Sequence, residues 1–166
     1  MSLRSQIRLA LAGTHLTTSG GLARVTVEVG PVWAVALDDG VGADQADSIF
    51  SLSAQEIASG GTLSLDLQGA LEDVLGNAFT PAKLRAVCIV AARTNTTVLT
   101  LFGGAAPVPV LGGGGTHTLN PGGIFFVLDR SAAGIPVTAA TADILRIVNG
   151  SGAVAKVDVV LIGTSS

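Results

Sequence analysis

The chain has few charged and few aromatic side chains. Only 13% of its 166 residues are charged, whereas about 25% is usual for a soluble domain. Hydrophobic residues make up 48% of the chain. A surface with so little charge is typical of a protein whose surface is covered by partners. We therefore expect an assembly, a shell or a fibre. The alternative is a well-packed monomer with a small, Ser/Thr-rich surface.

Basic runs are also lacking. The chain has nine Lys and Arg residues in all, spread along its length, and a net charge of −3. Binding to nucleic acid requires clustered Lys and Arg that neutralise phosphates, so we expect no nucleic-acid partner. With one Trp and no Tyr, the chain is also poor in the aromatic surfaces on which sugars and unpaired bases stack.

Cysteine occurs once, as Cys88, so an internal disulfide is excluded. Cys88 lies within the apolar run Leu84–Ala92, which predicts a small buried hydrophobic side chain rather than a reactive thiolate. The apolar stretches are interrupted by Gly or charge well before the roughly 20 residues that a membrane span needs. The first residues also lack the apolar core of a signal peptide. We expect no membrane partner.

What the chain does contain is short strand-like segments separated by its 22 glycines. Val25, Val27 and Val29 alternate with polar residues, and Leu63, Leu65 and Leu67 do the same. This period of two predicts that each set shares one buried face of a strand. Further predicted strands lie near residues 7–11, 32–37, 49–57, 84–92, 98–102, 124–128, 144–148 and 157–162.

The number and spacing of these segments predict an all-β fold, an antiparallel β-sandwich or a jelly-roll-like barrel of about 8–10 strands. At most one short helix is expected. Its candidate is Leu67–Leu75, where apolar residues fit a 3.6-residue spacing before Gly76-Asn77. Pro107 and Pro109 lie between two glycine clusters, which predicts that residues 105–111 form an irregular loop.

Residues with metal-binding or nucleophilic chemistry are few and scattered. His15 and His117, predicted in Gly-flanked turns, do not form a zinc motif with Cys88. The acidic segment Asp38–Asp47 could supply oxygen ligands to calcium, but its spacing differs from an EF-hand and suits turns equally well. We expect no metal site and no cofactor.

Catalytic constellations are not apparent either. Asp129, Asp143 and Asp158 fall near predicted strand ends and are interpreted as solvated turn residues. The short glycine run Gly112–Gly115 lacks the Lys and the following helix of a phosphate-binding loop. No arrangement of Ser or Cys with His and Asp can be recognised, so we do not expect an enzyme.

From about residue 40 to residue 163, the chain resembles a group of structural virion proteins of tailed bacteriophages. The resemblance lies in an ordered series of short motifs. These are residues 42–50 (GADQADSIF), 63–73 (LSLDLQGALED), Gly76, 82–86 (AKLRA), 94–96 (TNT), 121–123 (PGG), 136–139 (PVTA), 142–147 (ADILRI) and 159–163 (VVLIG).

The resemblance implies a β-sandwich that decorates or cements a capsid, and it carries no catalytic residues. The partners it implies are the major capsid protein and further copies of the chain, with a trimer at a local three-fold axis as the expected oligomer. The implied location is the outer surface of the virion, reached after assembly in the host cytoplasm. Residues 41–166 would form the sandwich domain.

Residues 1–40 lie outside the resemblance. They are interpreted either as a capsid-binding arm or as the first strands of the same sandwich. As capsid or subunit contacts we predict Arg4, Arg8, Arg24 and Trp33, since arginine pairs well with acidic groups of a partner. Two other functions stay open: a tail, baseplate or head-fibre component, and a carbohydrate-binding β-sandwich module that would use Trp33 and the acidic segment Asp38–Asp47.

Overall fold

The structure is a computed structural model. It describes the backbone of residues 3–10, 13–19, 23–29 and 32–166, and the side chains of residues 3–10 and 33–166. All regular structure in these ranges is β-strand. The strands are β1 (Ser5–Ala10), β2 (Gly13–Ser19), β3 (Ala23–Val29), β4 (Val32–Asp39), β5 (Gln45–Ala46), β6 (Ser48–Ile57), β7 (Thr62–Asp66), β8 (Lys83–Ala91), β9 (Leu99–Phe102), β10 (Thr116–Leu119), β11 (Ile124–Leu128), β12 (Ile135–Pro136), β13 (Ile144–Asn149) and β14 (Ala155–Thr164).

Two antiparallel sheets form a sandwich. One has the order β11-β8-β14-β6, with the short β12 also paired to β8, and the other has the order β10-β9-β13-β7. Neighbouring strands in both sheets run antiparallel. The all-β class and the antiparallel sandwich predicted from the alternating patterns are therefore confirmed. We call these two sheets the five-stranded and the four-stranded sheet.

The main core lies between the two sheets and consists of the alternate, inward-pointing residues of each strand. Leu65 and Leu67 are buried there, and Leu63 is half-buried against them. The shared face predicted for these three leucines is thus confirmed. Aromatic rings also meet in the core: the ring centroids of Phe50 and Phe79 are 5.4 Å apart, and those of Phe102 and Phe125 are 5.0 Å apart.

The helix candidate Leu67–Leu75 was wrong, because this segment continues from β7 into turns. Asp73 closes the last of them. Its Oδ1 accepts hydrogen bonds from the backbone N–H groups of Leu75 and Asn77, both at 2.8 Å, and its Oδ2 accepts one from the Asn77 side chain at 2.9 Å. Such bonds give the backbone an alternative to a helix. Val74 and Leu75 point into solvent.

Residues 5–39 form paired strands whose registers agree. β1 pairs with β4, with Ser5 opposite Leu37, and β2 pairs with β3, with Gly13 opposite Val29. The residue numbers of each pair sum to 42 in both ladders. The two ladders thus share one register, and we call the two strand pairs together the N-terminal ribbon. β4 pairs on its other side with β5, in parallel.

β3 contains the predicted alternation of Val25, Val27 and Val29, and its backbone is a strand as expected. The side chains of these valines lie outside the described residues, so their shared buried face stays a prediction. His15 is in strand β2 and His117 in strand β10, so the prediction that both histidines occupy turns was wrong.

Candidate functional site

The outer faces of the two sheets have different chemistry. The outward positions of the five-stranded sheet are largely apolar, and we call this surface the apolar face. Its register places Phe126 and Val160 on either side of Cys88, in the centre of the sheet. The surface consists of Ile49, Ala86, Cys88, Val90, Ile124, Phe126, Leu128, Val160 and Ile162.

The apolar face becomes polar toward one end. Asp158 lies within β14 opposite Val90, so its prediction as a turn residue was wrong. It accepts a hydrogen bond from the backbone N–H of Ala54 at 2.6 Å. Beyond it, Lys156 and Glu56 form an exposed ion pair at 3.1 Å. An exposed pair of this kind contributes at most about 1 kcal/mol. The charged end therefore stays hydrated, while the rest of the face presents apolar side chains.

The base of the N-terminal ribbon is the end at which Ser5 lies opposite Leu37. It covers the other end of the apolar face. Leu37 is only 1% exposed and packs with Ala86 and Ile162, while Ile7 and Val35 pack against the same cluster. Burying one Leu side chain stabilises the fold by about 1.5–3 kcal/mol. The base of the ribbon is thus held to the sandwich by an apolar contact outside the main core.

Burial decreases along the ribbon with distance from its base. On the side that faces the sheet, Leu37 and Ser5 are buried and Val35 and Ile7 are half-buried. The next pair, Leu9 and Trp33, is exposed to 41% and 52%. Leu9 and Trp33 therefore expose two large apolar side chains at the end of the β1-β4 pair that is farther from the ribbon base.

Between β1 and the apolar face lies a groove of about 520 Å³. Residues 3–9 border one side of it, and its floor contains Cys88, Phe126 and Val160. Ile124, which is 66% exposed, lies at its rim. Because consecutive residues of β1 border the groove, the edge of that strand forms the wall rather than one of its faces. We call this feature the ribbon groove.

The predicted contact residues fall on different sides of the ribbon. Arg4 and Arg8 are exposed, and Arg8 is opposite Ala34 on the side that faces away from the sheet. Trp33 is on the other side, opposite Leu9. Arg24 takes the register position opposite Thr18, but its side chain lies outside the described residues. The structure therefore does not bring the predicted residues together into one patch.

Arg85 is the functional residue that sequence reasoning missed. It is fully buried, and its Nε donates to the carbonyl oxygen of Gln45 at 3.1 Å. Nη2 donates to the carbonyls of Val41 and Gly42, both at 2.9 Å, and Nη1 donates to the carbonyl of Ser131. One side chain thus joins the loop after β4 to the sandwich. The only signal in the sequence was a charged residue within an apolar run.

Three aspartates of the acidic segment make contacts within the protein. Asp44 forms an ion pair with Arg130 at 2.5 Å, and Asp39 accepts a hydrogen bond from the backbone N–H of Leu3 at 2.8 Å. Asp47 accepts from the backbone N–H and hydroxyl of Ser165. Within the described ranges, no three His, Cys, Asp or Glu residues are placed to hold a metal ion.

The other chemically distinctive side chains are isolated. Cys88 is half-buried on the outer face of the sheet, where it borders the ribbon groove, so the prediction of a buried side chain was wrong. Partial burial raises the pKa of its thiol, and the negative charge of Asp158 adds to this effect, so the thiolate is disfavoured as predicted. His117 is exposed, and its ring lies tilted against that of Phe125, with the ring centroids 5.2 Å apart. Asp143 differs from the prediction of a solvated turn residue: it is buried, and its Oδ2 accepts a hydrogen bond from the backbone N–H of Ala140 at 2.6 Å.

Asp129 lies in a turn as expected. Its pKa is lowered by hydrogen bonds from the side chain and backbone of Ser131, which outweigh the opposing effect of burial. The backbone bond measures 2.8 Å. This carboxylate therefore stabilises the loop whose carbonyl group Arg85 also binds.

Comparison with protein-family models, with curated proteins and with solved structures found no match for this chain. The resemblance to phage virion proteins therefore stays a prediction. In the part of the chain that the structure describes, no helix is long and apolar enough to cross a membrane.

Proposed function

We propose that this chain is a structural virion protein that decorates and stabilises a bacteriophage capsid. It would act on the outer capsid surface through contacts with the major capsid protein and with its own copies. The observation that supports this proposal most directly is the apolar face, of which the N-terminal ribbon covers only one end. A contiguous exposed apolar surface on a protein commonly marks a binding site for another protein.

The series of motifs in residues 40–163 is the reason for proposing a virion protein. The N-terminal ribbon supplies a surface that could contact the capsid. Leu9 and Trp33 lie exposed on one side of the ribbon, and Arg8 lies on the other. Large apolar and aromatic side chains that become buried on binding contribute most of the affinity of protein interfaces. A partner that binds the ribbon can therefore use both of its sides.

The proposal is tested by adding the purified chain to heads of the phage that encodes it, prepared without this protein. We expect saturable binding with hundreds of copies per head, counted by quantitative gel densitometry or by cryo-electron microscopy. A handful of copies at one vertex would instead indicate a tail, baseplate or head-fibre component. Failure to bind any part of the virion would contradict the proposal.

A shortened ribbon provides the matched variant. Since Ala10 is opposite Val32, residues 11–31 can be replaced by Asn-Gly, which closes a two-residue hairpin. This variant keeps β1, β4 and their packing on the apolar face. If the arm interpretation is correct, it should fold but bind heads weakly. If it binds as well as the full chain does, the arm is not the capsid contact.

The carbohydrate-binding alternative is less well supported by the geometry. Trp33 is exposed as a sugar platform requires. However, the carboxylates of Asp39, Asp44 and Asp47 already accept hydrogen bonds within the protein. A glycan array screened with the full chain and with Trp33→Ala would reveal such binding.

A further inference from the structure

Strand β1 has an unused edge. Among the described strands it pairs only with β4, and its other edge borders the ribbon groove. An edge strand presents unpaired N–H and C=O groups that a strand from another chain can bind. The groove therefore combines backbone hydrogen-bonding groups in its wall with apolar side chains in its floor.

These two features specify the chemistry of an occupant. It must be extended, so that its backbone can pair with β1, and it must alternate, so that every second side chain reaches the floor at Phe126, Cys88 and Val160. A folded surface without a free strand edge does not meet the first condition, and a uniformly polar strand does not meet the second.

The chain itself contains a strand with these properties. β3 has the sequence ARVTVEV, in which three valines occupy alternate positions. Within the described part of the chain β3 pairs only with β2, which leaves one of its edges free. It does not pair with the chain's own β1, because among the described strands β1 pairs with β4 and β3 with β2, in separate sheets.

We propose that strand β3 of a second copy adds to the free edge of β1 and occupies the ribbon groove. This inference rests on the proposed function, since it supplies the contact between copies. A register that places position 29 beside Ile7 and position 27 beside Leu9 aligns the valine positions with the side of β1 that faces the apolar floor. Position 28, a glutamate, then falls beside Arg8, which is exposed on the opposite side. Opposite charges on neighbouring strands favour this pairing.

The contact is heterologous, because each copy donates β3 and receives the β3 of a neighbour. Heterologous contacts of this kind close into rings when the rotation between copies permits. A ring of three copies would match the trimer expected from the sequence. The surface that pairs with β1 also covers the most apolar part of the groove, so strand addition and burial of the apolar face occur together.

Cys88 allows a direct test, because the only native thiol lies in the floor of the groove. One full-length chain carries Val27→Cys together with Cys88→Ala, and a tagged wild-type chain supplies the thiol at position 88. The two are mixed and oxidised with copper phenanthroline at pH 8.5. We expect a disulfide-linked heterodimer on a non-reducing gel. The matched control carries Ser64→Cys, on the outer face of the four-stranded sheet, together with Cys88→Ala.

A heterodimer yield no higher than that of the control would overturn the inference. It would also be overturned if Val27→Cys in the presence of native Cys88 forms a disulfide within one chain, because the strand would then occupy its own groove. If heads still bind the protein while no heterodimer forms, the contact between copies is wrong and the proposed capsid function stands.

Two further sets of variants measure the assembly without a disulfide. Ile124→Lys places a charge at the rim of the groove on a residue already exposed, so the monomer should fold normally while the mass in solution falls toward 16.5 kDa. Val154→Lys, at a residue 52% exposed and outside the groove, should keep the assembled mass. Equal masses for the two variants would contradict the inference.

The second set exchanges charges. Arg8→Glu and Glu28→Arg should each weaken association at least fivefold, measured by analytical ultracentrifugation, and the double variant should recover most of the loss. If each single variant weakens association but the double variant shows no recovery, the proposed register is wrong and with it the inference.

Discussion

The two outer faces of the sandwich are built by the same strand alternation but present opposite chemistry. On the four-stranded sheet one outward row across the four strands consists of Thr118, Thr100, Val148 and Thr62, with Ser64 opposite Arg146 in the next row. On the five-stranded sheet the equivalent central positions are Phe126, Cys88 and Val160. We call the first surface the polar face.

This difference shows which outer face of the sandwich has few polar and charged side chains. Threonine hydroxyl groups on the polar face can hydrogen-bond to water. The apolar face is covered at one end by Leu37 and its neighbours, and the remainder is left to the ribbon groove. The composition of the whole chain predicts a covered surface, and the apolar face is the part of the described structure that fits this prediction best.

The largest effect is expected from Arg85→Ala. This change leaves the carbonyl groups of Val41, Gly42, Gln45 and Ser131 without their donor in a buried site. Each buried polar group left without a partner costs about 1–3 kcal/mol, so we expect a loss of about 3 kcal/mol or more, a large part of the stability of a typical domain. The midpoint of urea denaturation measures it.

Arg146→Ala is the matched control on the polar face, where Arg146 is half-buried beside Ser64. Its loss should cost about 1 kcal/mol or less, as for most substitutions near the surface. Similar losses for the two arginines would mean that Arg85 does not hold the loop after β4 to the sandwich.

An intermediate effect is expected from two aspartate substitutions, one in the middle of each face. Val160 and Thr100 are both half-buried positions of central strands. Aspartate is unfavourable in any β-strand, so both variants share this loss of stability. Val160→Asp in addition places a carboxylate among apolar groups, which costs about 1–3 kcal/mol, whereas Thr100→Asp places it beside the hydroxyl group of Thr118.

Thermal unfolding and the mass in solution should both be measured for these variants. We expect a lower melting temperature and loss of assembly for Val160→Asp, and a near-normal assembled protein for Thr100→Asp. Equal behaviour would show that the chemical difference between the faces has no energetic consequence.

The smallest effect on stability is expected from a change at Asp73. This residue lies in a turn outside both faces, so its variant shows the effect of a substitution that changes neither face. Hydrogen bonds from the side chain and then the backbone of Asn77 lower the pKa of this carboxyl group. Its carboxylate therefore stabilises the fold above the ordinary carboxyl pKa of about 3.9, and this contribution is lost as the pH falls through the lowered value.

Asp73→Ala should accordingly reduce the melting temperature slightly at pH 7, and the difference from wild type should shrink as the pH falls below about 4. Glu72→Ala, at the exposed neighbouring carboxylate, is the control and should show less dependence on pH. A difference for Asp73→Ala that stays constant down to pH 2 would exclude the charge-based explanation.

Much of the fold could be predicted because strand alternation is a local property. Leu63, Leu65 and Leu67 needed only their polar neighbours to be assigned to one face, and residues 124–128 were predicted with the bounds that β11 has. The helix prediction failed because its window was short. Two turns of apolar spacing carry little information, and the hydrogen bonds of Asp73 favour a turn there.

The candidate site could not be predicted, because it depends on contacts between distant parts of the chain. The partners of Arg85 lie 40 to 46 positions away in sequence. The apolar face requires β11, β8 and β14 to be neighbours, an order that no local pattern specifies. Arg8 and Trp33 were both identified as contact residues, but the register that separates them to opposite sides of the ribbon was not foreseen.

The constant register of the N-terminal ribbon makes its length an adjustable dimension. Adding two residues to each strand lengthens the ribbon by about 6.6 Å at the usual rise per residue and returns every later position to its former side. Adding one residue to each strand would instead move every side chain beyond the insertion to the opposite side of the ribbon. Insertions in steps of two residue pairs would therefore change the reach of the ribbon while the sandwich stays unchanged.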